Sequence, residues 1–395
     1  MRGPVNNLFL YFLFISVFFL LFSCKKTEFE SILVHDTVLI QEYDTIYFRK
    51  IQIDNFIAKP ISNDEIEITW ETSDKEFDGC FIKVSPNEDM TDFYCGRGER
   101  SLSLHGLKHQ TIYTINLYPI NTKGCITDTF TCRGFLPITY DNNAWFVNNP
   151  VTAHAGGGLI DEDGHEYIYT NSKEAILNSY QKGLRVFEVD VNLTKDNIPV
   201  LVHTWSDFGK MADLEIEDNI SLDLFQKSLI YGSFTPMTFD DLIDFMIEYD
   251  DVYFDLDIKV RPIAEAVRYI VETINNRFPN DAKLLLDRLI VEFYDELTYS
   301  DITHIYPFQN VFYTLGHSNS DINVIEFCVV NNIPVAGDFE WSFNAERVAL
   351  FALYNINIIC YNGNVDKYPA CVDAKRKGIY GIQSNFVTNE IWNNL

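Results

Sequence analysis

Hydrophobic and polar positions change rhythm repeatedly along this chain. Residues 8–22 are apolar throughout except for Ser16, and Arg2 is the one charge ahead of them. A bilayer span needs about 20 such residues, so the run fits the apolar segment of a signal peptide better than a membrane helix. Residues 24–48 are polar and acidic on balance, without Pro or Gly after Cys24, and read as a tether. Residues 49–137 alternate with period two. Glu65-Ile66-Glu67-Ile68-Thr69-Trp70 is the plainest case; Phe81-Ile82-Lys83-Val84 and Tyr113-Thr114-Ile115-Asn116-Leu117-Tyr118 follow. Turn clusters at Pro86-Asn87-Glu88-Asp89 and Asn121-Thr122-Lys123-Gly124 separate them, which predicts an all-β sandwich.

A junction at 138–150 changes the texture again. Short apolar strands at 151–153, 186–191, 199–202, 252–258, 289–293, 311–314, 334–336 and 356–361 now alternate with helical patterns. The helices are expected at 172–183, 239–249, 262–275 and 324–331. This rhythm over 148–395 predicts a single α/β barrel. A doubly wound sheet is the alternative, weakened by the lack of a Gly-rich dinucleotide loop with an acidic partner.

Composition narrows the partners. The 395 residues hold 57 Asp and Glu against 30 Lys and Arg, a net charge of −27. Such a chain is no binder of phosphate backbones, which require Lys and Arg, so no nucleic acid is expected. Attachment to anionic lipid through a basic patch is excluded for the same reason. The apolar run ends in Leu21-Phe22-Ser23-Cys24, which resembles the lipobox of bacterial lipoproteins. That resemblance implies cleavage after residue 23, a lipid on Cys24 and a membrane-anchored protein outside the cytoplasm, periplasmic or at the cell surface. The mature chain would lose Arg2 and no acid, so −27 becomes −28. An exported setting permits disulfides among Cys80, Cys95, Cys125 and Cys132, two close pairs in the β region. Cys328, Cys360 and Cys371 are scattered and read as buried thiols.

Candidate chemistry sits in the barrel region. Glu188 and Asp190 share one face of a strand, opposite Phe187, Val189 and Val191. Asp255, Asp257 and Lys259 share a face of another. Acids aimed into a barrel are costly unless paired or bound to a cation. Oxygens converging from two strands suit Mg2+ or Ca2+ better than zinc; inward salt bridges without metal are the open alternative. His154 and His203 each follow a predicted strand, where α/β barrels place catalysis, and two imidazoles there suit general acid–base work. Gly156-Gly157-Gly158 would let backbone N–H groups approach an anion. The acidic segment 159–168 reads as a solvated loop near the mouth.

These residues carry a resemblance to a family. Ala153-His154-Ala155-Gly156, Thr170-Asn171-Ser172, Phe187-Glu188-Val189-Asp190, Leu193-Thr194-Lys195-Asp196-Asn197-Ile198-Pro199-Val200 and His203 are similar in order and spacing to the glycerophosphodiester phosphodiesterases, which are TIM barrels. Thr235-Pro236-Met237-Thr238, Asp257-Ile258-Lys259 and Gly378-Ile379-Tyr380-Gly381-Ile382 extend the likeness over about 148–388. The resemblance implies a divalent cation, Mg2+ or Ca2+, on Glu188, Asp190 and Asp257, with His154 and His203 as the acid–base pair. Lys259 and Gly156 would face the phosphate of a small phosphodiester or lipid head group. The chain departs from the family pattern in five places, one of them Asp257, which stands where the family has Glu. Ala155 stands where the family has Arg, Thr170 where it has Glu, and Thr204 where it has Asp; Ser384-Asn385 replaces a terminal Thr-Asp. A non-catalytic, lipid-tethered binding protein with a degenerate barrel is therefore the second hypothesis. Separately, Leu104-His105-Gly106-Leu107 through Tyr113, with Trp70, resembles a fibronectin type III module, whose protein partner the sequence does not name.

Overall fold

The computed structural model describes residues 49–86, 92–216, 218–316, 320–361 and 366–395. Cys24, the leader and tether, and most of the turn at 86–89 lie outside the described residues. The chain divides between Leu136 and Pro137 into two compact units.

The first unit is antiparallel β. Its strands are β1 (Asp54–Pro60), β2 (Glu65–Glu71), β3 (Phe77–Ser85), β4 (Phe93–Gly96), β5 (Ser101–His105), β6 (Tyr113–Asn121) and β7 (Phe130–Gly134). They form a three-stranded sheet, β1-β2-β5, and a four-stranded sheet, β4-β3-β6-β7. Period-two alternation decides which face is inward: Ile66, Ile68 and Trp70 of β2 share one buried cluster with Ile82 and Val84 of β3 and Ile115 and Leu117 of β6. The Tyr113 hydroxyl accepts the Lys108 N–H at 2.8 Å and ties the β5–β6 loop to its strand. Cys80 and Cys95 face each other across β3 and β4 as buried free thiols, and Cys132 is also a free thiol.

The second unit is a closed barrel. Its strands are β8 (Val151–Ala153), β11 (Val186–Leu193), β13 (Tyr253–Ile258), β14 (Leu289–Phe293), β15 (Asn310–Thr314), β16 (Val335–Phe339), β17 (Asn357–Tyr361) and β18 (Gly381–Ser384). They pair in parallel around the ring, and β8 closes on both β18 and β11. Closure rules out the doubly wound alternative. A small hairpin, β9 (Leu159–Ile160) and β10 (Glu166–Tyr167), follows β8. It is the expected acidic loop: the Asp161 carboxylate accepts from the N–H groups of Asp163 and His165 and from the Tyr167 hydroxyl, so the turn satisfies itself.

The segment 199–202 differs from the expectation. β12 (Pro199–Leu201) is no barrel strand but runs antiparallel to β11 as a hairpin return. The Val202 N–H bonds the Asp190 carbonyl at 2.8 Å, and this return carries His203 back to the level of Asp190.

Helices ring the barrel: α1 (Lys173–Gln181), α2 (Trp205–Ala212), α3 (Leu222–Lys227), α4 (Phe239–Glu248), α5 (Ile263–Arg277), α6 (Ala282–Leu286), α7 (Glu296–Ile305), α8 (Asp321–Asn331), α9 (Ala345–Ala352), α10 (Tyr368–Arg376) and α11 (Asn389–Asn393). α5 shows why they pack. Ile263, Ala266, Val267, Ile270, Val271 and Ile274 recur at three- and four-residue steps and are buried together. α4 starts at a capping box, with Thr238 and Asp241 each satisfying the other's backbone N–H. Its Phe245 meets Phe187 and Phe254 on the outer barrel face at centroid distances of 6.4 and 6.1 Å. Trp145 and Phe146, ahead of β8, pack with Val186, Ile290, Phe312, Val335 and Ile359 at the N-terminal end of the strands. Among the described residues no helix is long and apolar enough to cross a membrane.

Candidate active site

The register of β11 and β13 brings the acids together. Glu188 pairs with Asp255 and Asp190 with Asp257 in adjacent parallel strands, so the inward faces stack two acidic rows. The upper groups open into a cavity of about 260 Å³ at the C-terminal mouth, lined also by His154, His203 and Lys259. One carboxylate oxygen from each of Glu188, Asp190 and Asp257 lies within 4.8 Å of the others. Lys259 reaches between them: its Nζ stands 3.0 Å from Asp190 Oδ1 and donates to Asp257 Oδ2.

The surroundings hold these acids in place. Asn171, at a left-handed φ of 47°, donates its Nδ2–H to Asp190 Oδ2 at 2.8 Å and accepts the Asp190 N–H at 3.0 Å. The Ala155 N–H donates to Glu188 Oε2 at 2.6 Å. The Tyr294 hydroxyl donates to Asp257. Burial, and then the charges of Asp190 and Asp257, raise the Glu188 carboxyl well above the usual range. Burial works to lower Lys259, but the charges of Asp190, Asp257 and Glu188 outweigh it and hold the ammonium protonated. One ammonium against three converging carboxylates leaves an excess of negative charge in a buried place. That all-oxygen donor set fits a hard divalent cation.

A second layer lies beneath. Gln383 donates to Asp255 Oδ2 at 3.2 Å and to Glu292 Oε1 at 3.3 Å, and Thr314 donates to Glu292 Oε2 at 2.7 Å. Burial and then the Asp257 charge push Glu292 up to about 8.

The two imidazoles have different partners. His154 opens a short turn after β8. Its Nδ1 meets Asn385 Oδ1 at 3.3 Å, and its Nε2 stands 4.0 Å from Glu188 Oε2. Burial lowers its pKa against the raising influence of Asp190. His203 has its Nδ1 3.5 Å from Asp207 Oδ2. Asp207 sits in the first turn of α2, where Thr204 is the N-cap and accepts the Asp207 N–H at 3.1 Å. Tyr169, at a left-handed φ of 59°, lies between the rings, 4.6 Å from His154 and 5.6 Å from His203 by centroid. Phe339 and Tyr361, 4.8 Å apart, form an aromatic wall of the same cavity.

The structure thus brings His154, His203, Glu188, Asp190, Asp257 and Lys259 to one mouth. Gly156 does not line it. At φ 79° it packs against Ile176, where a Cβ would come within 2.9 Å. The Gly157 and Gly158 N–H groups bond the carbonyls of His154 and Asn385. Sequence reasoning passed over Asp207, Tyr294, Glu292 and Tyr169. A signal existed for two of them: Glu292 breaks the apolar run Leu289-Ile290-Val291 on an inward position, and Thr204-x-x-Asp207 is a capping pattern.

A closed parallel barrel with two imidazoles and three carboxylates at its C-terminal mouth defines a hydrolase-type centre for an anionic ester. The model of the glycerophosphoryl diester phosphodiesterase family matches residues 163–364, just over half of the chain. The chain belongs to that family, and is a phosphoric diester hydrolase. The match takes in Glu188, Asp190, His203, Asp257 and Lys259 but begins after His154. Among solved structures, a candidate glycerophosphodiester phosphodiesterase from Galdieria sulphuraria shares 12% identity over 62% of this chain and 96% of its own, with a TM-score of 0.52. A phosphodiesterase from Oleispira antarctica, solved with the product sn-glycerol-3-phosphate, shares 16% over 62% and 95%, with a TM-score of 0.49. The first likeness speaks to the barrel fold alone. A comparison with curated proteins finds no match.

Proposed function

We propose that this chain is an exported, lipid-tethered, metal-dependent phosphodiesterase that hydrolyses glycerophosphodiesters or related lipid head groups with His154 and His203 as its acid–base pair. The observation that carries the reading is the pair of imidazoles flanking one carboxylate trio, two of it buried and Asp257 half-buried, each imidazole with its own polar partner. His154 takes the proton from the attacking hydroxyl, a neighbouring glycerol hydroxyl or water. A P–O bond forms, and the bond to the departing alcohol breaks. His203 gives its proton to that alkoxide, and the carboxylate of Asp207 beside Nδ1 orients the ring. Lys259 faces the phosphoryl oxygens and offsets the charge they gather. Glu188, Asp190 and Asp257 would hold one divalent cation, Mg2+ or Ca2+, which when bound neutralises the phosphodiester and lets two anions meet.

The Asp missing after the second histidine was one motive for the non-catalytic reading, and Asp207 supplies a carboxylate there one turn later. We infer further that residues 1–23 are a lipoprotein signal, Cys24 the lipidated residue and 24–48 a tether. Residues 49–137 then form a fibronectin type III-like module ahead of the catalytic unit. The three-plus-four strand order and the Tyr113–Lys108 bond support the last point.

Turnover of a panel of glycerophosphodiesters, glycerophosphocholine first, tests the enzyme. Activity should stop with EDTA, and His154→Ala and His203→Ala should each lose about 10²-fold or more. Normal turnover by both variants overturns the assignment. Labelling with a radioactive fatty acid, lost in Cys24→Ser, tests the anchor.

A further inference from the structure

Asp366 lies just before α10 and outside the carboxylate trio, yet it ends a chain of hydrogen bonds that begins on His154. We propose that Asp366 is a positioning residue that sets the tautomer of His154 through the side-chain amide of Asn385, and so makes His154 the base of the pair. The inference deepens the proposed acid–base reading and rests on it for its kinetic consequence.

The argument starts from what each group is able to do. An ionised carboxylate only accepts hydrogen bonds. Asp366 accepts three: the Asn385 backbone N–H at 2.7 Å on Oδ1, the Asn385 Nδ2–H at 2.7 Å on Oδ2, and the Ser384 hydroxyl. An amide with its nitrogen turned to that carboxylate must turn its oxygen the other way. Asn385 Oδ1 accordingly faces His154 Nδ1 at 3.3 Å. Reversing the amide would set its oxygen against the carboxylate, so the orientation follows from chemistry and not from the shape of the amide. A carbonyl oxygen has no proton to give. His154 Nδ1 must therefore be the donor, and in the neutral ring the lone pair sits on Nε2. Nε2 is the atom on the side of Glu188, which lines the cavity together with the ring. Two links, carboxylate to amide and amide to ring, place an unprotonated nitrogen where the attacking hydroxyl must lose its proton.

Exchanging the two end groups tests this. Asp366→Asn keeps the shape but presents an N–H2 group, which no longer repels the reversed Asn385 amide. That reversed amide would donate to Nδ1 and move the ring proton to Nε2. The double variant Asp366→Asn/Asn385→Asp restores the order: the new amide donates, the new carboxylate accepts from Nδ1–H. Long-range 1H–15N correlation spectra of the 15N-histidine-labelled full chain read the tautomer, with His154 assigned by the loss of its signals in His154→Gln. We expect Nδ1–H in the parent, Nε2–H in Asp366→Asn, and Nδ1–H again in the double variant. With glycerophosphocholine and the divalent cation present, kcat should fall about 10- to 100-fold in the single variant, with KM within about threefold, and recover in the double. A parent ring already carrying its proton on Nε2, or an Asp366→Asn protein with parental tautomer and parental kcat, overturns the proposal. A single variant that fails to fold, judged by circular dichroism, leaves the decision to the double variant, whose failure to show Nδ1–H refutes the relay. Should the tautomers behave as expected while His154→Ala keeps its activity, the acid–base reading falls and the positioning of the ring stands.

Discussion

Asp207 stands 3.5 Å from Nδ1 of His203, with one turn of chain between them. Its Oδ2 also accepts the Thr204 hydroxyl at 2.7 Å, and Oδ1 is bound by Lys210 at 3.1 Å. The carboxylate is thus held still, and Thr204, Lys210 and His203 together keep it ionised below its usual pKa. A carboxylate stands behind the His203 ring, whereas behind His154 stands a carbonyl oxygen, and burial moves that ring toward its neutral form against Asp190 and the Asn385 bond. The two histidines are set apart by what stands behind them.

A leaving-group test follows. Asp207→Ala should lower kcat on glycerophosphocholine about tenfold or more, because the departing alkoxide needs a proton. A p-nitrophenyl phosphodiester leaves without one, so its kcat should fall much less. Equal losses on both substrates would show that Asp207 does not act through the acid.

Binding of a divalent cation should show in stability as well as in turnover. A ligand held only by the folded state stabilises it by about 2.7 kcal/mol at a hundredfold excess over its Kd. Added Mg2+ or Ca2+ should raise the melting temperature of the purified protein, and Glu188→Gln should abolish most of the rise. A parental response in Glu188→Gln would remove that residue from the donor set.

How much of this was legible is best judged residue by residue. Glu188, Asp190, Asp257 and Lys259 announce themselves because period-two spacing in two strands is a local signal, and the parallel register then does the rest. His154 was legible as a strand-end residue. His203 reaches the mouth by a different local route from the expected barrel strand, since β12 is a hairpin return on β11. Asn385 shows in the sequence only as a departure from the family's terminal Thr-Asp, and Asp366 carries no local signal at all. Asn385 lies 231 positions from His154, and only closure of β8 on β18 makes them neighbours.

Glu292 supplies a pH signature. Its pKa in the fold, about 8, lies above the ordinary 4.5 of a Glu carboxyl, so the fold favours the protonated form. Between those values the native state holds a proton that the unfolded chain has released, and stability falls as pH rises. The contribution is full below about 4.5 and gone once pH passes about 8. Without metal, the melting temperature of the parent should fall across this window more steeply than that of Glu292→Gln. Parallel curves would show that Glu292 is ionised throughout.

Asn171 separates backbone strain from hydrogen bonding at the same site. Its φ of 47° is a conformation that Asn tolerates and Ala resists by about 1–2 kcal/mol. Its side chain also makes two bonds to Asp190, one of them to the charged carboxylate, a type of bond that is worth about 1.5–3 kcal/mol. Asn171→Ala loses both contributions. Asn171→Gly loses the bonds but relieves the strain, at the cost of about 0.5–1 kcal/mol of extra freedom in the unfolded chain. Urea unfolding should therefore find both variants destabilised, with the Gly variant level with or more stable than the Ala variant by up to about 1.5 kcal/mol. Both should also bind the divalent cation more weakly, since Asp190 is no longer held toward Glu188 and Asp257. An Ala variant clearly more stable than the Gly variant would mean that the turn at 171 relaxes out of the left-handed region, and that Asp190 is oriented by its strand alone.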